Sequence, residues 1–116
     1  MVIRQWGIDE VTILEVSGSL DVKHSLALRE SVCAALRAGR RRLVLNLNDV
    51  TRVDAAGLGE IAHAHKMSRI VDGEMKLVVR SPAVRELLKR TRLACVFAMY
   101  SSEAAAIVSY DAALTV

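Results

Sequence analysis

The chain of 116 residues contains one proline, one tryptophan, one phenylalanine, two tyrosines and two cysteines. Each scarcity removes a class of protein. Two cysteines, Cys33 and Cys95, are too few and too far apart for a disulfide framework or a zinc site. So few aromatic rings cannot build the stacking platforms on which single-stranded nucleic acid lies. No apolar run approaches the roughly 20 residues that a membrane-crossing helix requires. The opening stretch MVIRQWGIDE has no charged leader followed by an apolar core, so no secretory signal is expected and a cytoplasmic location is. Neither a GxGxxG nor a GxxxxGK[ST] phosphate loop occurs, and HExxH and CxxC are also missing.

What remains is the composition of a folded domain: 53% hydrophobic, 25% charged, and 16 basic against 13 acidic residues for a formal +3. This length predicts a single domain, residues 1–116, that folds without disulfide or metal. Basic residues gather around Gly39 (Arg37, Arg40, Arg41, Arg42) and again in Arg80, Arg85, Lys89, Arg90 and Arg92. Arginine near the end of a helix complements its dipole, so these clusters do not call for nucleic acid, and no membrane insertion is expected either.

Apolar patterning gives the order of elements. Val2–Trp6 and Val11–Val16 read as strands joined by a Gly7-Ile8-Asp9 turn. Ser17-Gly18-Ser19 is expected to break the second strand, and Asp21 is a candidate cap for a helix on which Leu26, Leu28, Val32, Cys33, Ala35 and Leu36 recur as an apolar stripe up to Gly39. Leu43–Leu47 reads as a buried strand, 48–54 as a loop, and Ala55 to about Val71 as a second helix. Met75–Val79 is a further strand, and Ser81-Pro82 opens a short helix with serine as cap and proline at its first position. Val96–Met99 reads as a last short strand, bordered by Cys95, before an Ala-rich helix from Ser102-Glu103. The fold class is a small α/β domain with about five strands, mostly parallel with an N-terminal antiparallel hairpin, and about four helices.

No catalytic constellation emerges. His63 and His65 are two residues apart on a helix and point to different faces, whereas joint metal binding needs a spacing of three or four. His65 is expected to be partly packed and His63 to face water. Cys33 lies on an apolar stripe, and His24 sits nine residues, about 13 Å of helix, away from it. No metal, cofactor or enzymatic activity is expected.

One segment stands out: Asn48-Asp49-Val50-Thr51-Arg52-Val53-Asp54-Ala55-Ala56-Gly57-Leu58-Gly59. Asp54 caps a helix, and two glycines follow early in it, each forgoing about 1 kcal/mol of helix preference relative to alanine. Either the helix packs so closely that a Cβ would clash, or another molecule approaches the exposed helix N-terminus.

The pattern LVLNLNDVTRVDAAGLGEI, preceded by GSLDVKHSLALRESV and followed by GEMKLVVRSPAVRELLKRTRLACVFAMYSSEAAAI, resembles the STAS domain. Within that family it looks most like the stand-alone anti-sigma factor antagonists. The resemblance implies a mixed sheet with intervening helices and a regulatory, non-enzymatic role: binding an anti-sigma factor serine kinase or a related regulatory protein in a partner-switching scheme. It implies a contact surface comprising Asp21, Thr51, Asp54, Ala55, Ala56, Gly57, Leu58 and Gly59, with the exposed face of the second helix (Glu60, His63, Lys66) beside it. In the family the kinase phosphorylates a serine or threonine in a D-S-S/T-G-L-G block. Here the block reads Asp54-Ala55-Ala56-Gly57-Leu58-Gly59, so the phosphoacceptor position falls on Ala56, which has no oxygen to modify. Thr51 is the nearest hydroxyl and the alternative phosphosite, with Ser19 a second. Two other roles fit the resemblance: an adaptor subunit on the ATPase of a transport complex or within a sensory assembly, and a binder of a small anion at the helix N-terminus.

Overall fold

The structure, a computed structural model, describes residues 1–93 and 96–114. The expectation for Cys95 lies outside the described residues. The elements run β1 (Val2–Ile8), β2 (Val11–Leu20), α1 (Ser25–Arg37), β3 (Arg42–Val53), α2 (Ala55–Ile70), β4 (Glu74–Val78), α3 (Pro82–Arg90), β5 (Met99–Tyr100) and α4 (Glu103–Leu114). The strands form one sheet in the order β1-β2-β3-β4-β5, with β1 antiparallel to β2 and every later pair parallel. The α/β class, the hairpin and the order of elements are therefore as expected.

Topology follows from handedness. Three successive crossovers step in one direction across the sheet, and right-handed connections must then lie on the same face. Accordingly Leu28, Val32, Leu36, Ile61, Ala64, Val84 and Leu88 of α1, α2 and α3 pack on Leu14, Val16, Leu43, Leu45, Leu47, Met75 and Leu77 of the sheet. The alternate side chains of the same strands, Val11, Ile13, Val44 and Val78, point the other way and are covered by Ala106 and Tyr110 of α4. The Tyr110 hydroxyl lies between the carbonyl oxygens of Leu43 and Glu74, at 2.8 and 3.0 Å.

Several boundaries differ from the sequence expectation. The hairpin turn is Asp9-Glu10, both at positive φ (48° and 65°), and β1 continues through Gly7 and Ile8. Ser17-Gly18-Ser19 does not end β2, and 48–53 is not a loop. The two polar segments pair with each other, Ser17 with Asp49, Gly18 with Val50, Ser19 with Arg52 and Leu20 with Val53, across two register shifts. Each supplies the backbone partners the other needs, while buried Leu20 and Val50 anchor them to the core. The last strand is Met99–Tyr100; Val96 and Phe97 precede it in a turn from which Phe97 packs into the core. Gly39, at φ 87°, ends α1 as expected, and Ser81 caps α3 with Pro82 in its first turn.

Candidate functional site

The C-terminal ends of β2 and β3 deliver two junctions, 20–24 and 53–55, to the same end of the sheet. Asp54 joins them. One carboxylate oxygen accepts from the Gly57 amide at 2.9 Å and so caps α2. The other accepts from the Val22 amide at 3.2 Å, and the Asp54 amide itself donates to the Leu20 carbonyl at 3.2 Å. The cap was legible in the sequence; the bond to the first junction required the tertiary fold.

The two glycines have different reasons. At Gly57 a Cβ would collide with the Leu20 carbonyl oxygen and come within 3.0 Å of its carbonyl carbon, so only glycine lets α2 lie this close to β2. At Gly59 nothing lies within 4 Å of a Cβ, and the residue is exposed. Of the other residues expected at the surface, Thr51 and Ala55 are exposed, Asp21, Asp54, Ala56 and Leu58 are half-buried, and Leu58 packs against the core.

Asp21 does not cap α1; that position is taken by His24, which makes no side-chain cap bond. The chain turns for three residues first, because the Asp21 carbonyl accepts from the His24 and Ser25 amides. The Asp21 carboxylate instead accepts from the Lys23 amide at 3.1 Å and lies 2.8 Å from His24 Nδ1. Partial desolvation pushes its pKa up, but His24 and the backbone donors outweigh it and hold the carboxyl below its ordinary value.

Glu60 is not on an exposed face. It is 4% exposed and clamped bidentately by Arg29 of α1 at 2.9 and 3.0 Å. The Glu60 hydrogen bond and charge in turn raise the Arg29 pKa. His63 is half-buried rather than turned to water, Lys66 is exposed, and His65 is half-buried with its ring edge against Phe97 at 4.9 Å. Leu26, expected on the apolar stripe of the first helix, is exposed at the start of α1, where the stripe has not yet reached the sheet, and sequence reasoning missed exposed Val22 beside it. An unpaired β-branched residue in a polar junction was the available signal.

Elsewhere, Cys33, Leu36, Arg37, Met67, Ile70 and Val71 line an apolar groove of about 340 Å³ between the C-terminal halves of α1 and α2. Cys33 Sγ donates to Met67 Sδ at 3.9 Å, a thioether and not a base. Arg41 spends its guanidinium on the carbonyls of Leu36 and Arg40, both at 2.9 Å, closing the end of α1. Among the described residues no three His, Cys, Asp or Glu side chains converge as metal ligands, and no helix is long and apolar enough to cross a membrane.

This geometry can be set beside known proteins. The chain is 29% identical over 107 residues to BtrV of Bordetella bronchiseptica, described as an anti-sigma factor antagonist, covering 92% of each chain. It is 28% identical over 102 residues to the anti-sigma F factor antagonist of Paenibacillus polymyxa, covering 87% of each. The crystal structure of an anti-sigma factor antagonist from Mycobacterium paratuberculosis superimposes with a TM-score of 0.86 at 24% identity, over 93% of this chain and 92% of the other. The profile of the STAS domain matches residues 5–106, and with that span, this sheet order and these relatives the chain belongs to the STAS domain family, in its anti-sigma factor antagonist-like branch.

Proposed function

We propose that this protein is a non-enzymatic binding module that docks on an anti-sigma factor kinase or a related regulatory protein through the rim at the ends of β2 and β3. Asp21, Thr51, Asp54, Ala55, Ala56 and Gly59 form the contact, with Gly57 and Leu58 holding its shape. Ala56 occupies the phosphoacceptor position, so no covalent switch operates there and the rim stays in its binding form. Thr51, exposed near the end of β3, is the alternative hydroxyl that a kinase could reach, with half-buried Ser19 a second.

The observation that carries this reading is Gly59. Its glycine is not required by packing, since a Cβ would meet open space, yet the helix forgoes about 1 kcal/mol to keep it. Close approach of a partner's backbone explains the choice. Gly59→Ala should raise the melting temperature by about 3–6 °C, while Gly59→Arg, with the fold intact, should abolish binding to the anti-sigma kinase of the same genome in calorimetric titration. Ala56→Glu should do the same, and Ala56→Ser should become a substrate for that kinase. Parent-like binding by both Gly59→Arg and Ala56→Glu would move the docking surface elsewhere; failure of Ala56→Ser to be phosphorylated would remove the assignment of position 56.

A further inference from the structure

Among the described residues, β1 is a margin of the sheet, hydrogen-bonded to β2 alone. Proteins usually protect such margins with proline, a bulge or charges. β1 has no proline, its register with β2 runs unbroken from Val2 to Ile8, and Arg4 is its one charge. The two-residue turn at Asp9-Glu10 makes its flanking residues, Ile8 and Val11, a hydrogen-bonded pair. Alternation then directs the backbone of Trp6, Arg4 and Val2 toward β2 and turns the N–H and C=O of Ile3, Gln5 and Gly7 to the open edge.

The side chains of Val2, Arg4, Trp6 and Ile8 share the sheet face of their partners Ser17, Glu15, Ile13 and Val11. α4 covers Val11 and Ile13, but Val2, Trp6 and Ile8 remain 59%, 39% and 43% exposed. The Arg4 side chain is 79% exposed, with Glu15 only at 4.0 Å.

We propose that β1 pairs antiparallel with β1 of a second copy about a two-fold axis through Gln5, joining the two sheets into one. That axis sets every outward N–H opposite an outward carbonyl: Gln5 faces Gln5 of the second copy, and Ile3 faces Gly7. A shift of one residue would turn outward groups against inward ones, and a shift of two would shorten the overlap. The same axis is complementary in side chains. Val2 meets Ile8, Arg4 lies against the Trp6 ring as cation on aromatic face, and Ile3 covers the bare backbone of Gly7. A contact of one strand from each copy is at the small end of specific interfaces, so the dimer is reversible. The rim at Asp54–Gly59 lies beyond β2 and stays open in both copies, and the proposal does not depend on what binds there.

Sedimentation across a concentration series should show a monomer–dimer equilibrium. Hydrogen exchange should show the amides of Ile3, Gln5 and Gly7 gaining protection as concentration rises, while those of Arg4 and Trp6 do not change. Gln5→Pro removes the central outward donor at an edge position where proline is tolerated, and should be monomeric with a near-parental melting temperature. Arg4→Glu should raise the dimer Kd by about tenfold, and keeps the test open if the proline variant misfolds. The proposal is overturned if the parent is monomeric at about 1 mM, if a dimer survives in folded Gln5→Pro, or if the Ile3, Gln5 and Gly7 amides exchange independently of concentration.

Discussion

At the scale of single residues, Gly57 and Gly59 are two positions apart and chemically identical, yet one is fixed by packing and the other is not. A methyl at 57 has backbone against it, which cannot yield as a side-chain tip would, so Gly57→Ala should lose about 3 kcal/mol in urea denaturation. The opposite sign expected for Gly59→Ala makes the pair an internal control. Glu60 shows a similar lesson. A glutamate on the second helix reads as solvated, but α1 brings Arg29 onto it, and the pair ties α1 to α2 beneath the rim.

At the scale of elements, α4 is held by polar contacts at both ends as much as by apolar area. Near its C-terminal half, Lys76 Nζ reaches Ser109 Oγ at 2.6 Å and lies 3.9 Å from the Tyr110 ring centre. At its start, the Asn46 side-chain amide donates to Glu103 at 2.6 Å, and Glu15 of β2 lies beside the same carboxyl. Burial first, then the Glu15 carboxylate, raises the pKa of Glu103, while the hydrogen bond with Glu103 lowers that of Glu15. An acid whose folded pKa is raised holds its proton more tightly in the native state. Its stabilising effect is therefore present at low pH and is lost as pH rises through that raised value, above the ordinary glutamate range. Glu103→Gln keeps an acceptor for Asn46 and removes the titration. Its melting temperature should exceed the parent's at neutral pH, and the decline over this window should flatten.

At the scale of the whole molecule, one chain direction through the sheet leaves two unequal faces. Among the described residues, three helices cover one, while α4 alone covers Val11, Ile13, Val44 and Val78 on the other. Truncation after Ser102 should expose that face, giving a chain that binds hydrophobic dyes where the parent does not and forms assemblies larger than a dimer in light scattering. The same one-way order leaves β1 at a margin, paired on one side with β2, and brings the ends of β2 and β3 together as a rim.

The sequence by itself determined the periodicities, and through them the element types, their order, the caps at Asp54 and Ser81, and the α/β class, because these depend on neighbours a few residues away. It also determined that position 56 carries a methyl and no hydroxyl. Only the tertiary structure decided that Ser17–Leu20 and Asp49–Val53 are strand, since each needs the other as its hydrogen-bonding partner, from Ser17 with Asp49 to Leu20 with Val53. It alone separated Gly57 from Gly59, buried Glu60, moved Asp21 off the helix cap and left Val22 and Leu26 outside. Those outcomes turn on which distant backbone lies within a few ångströms, and no local pattern encodes that distance.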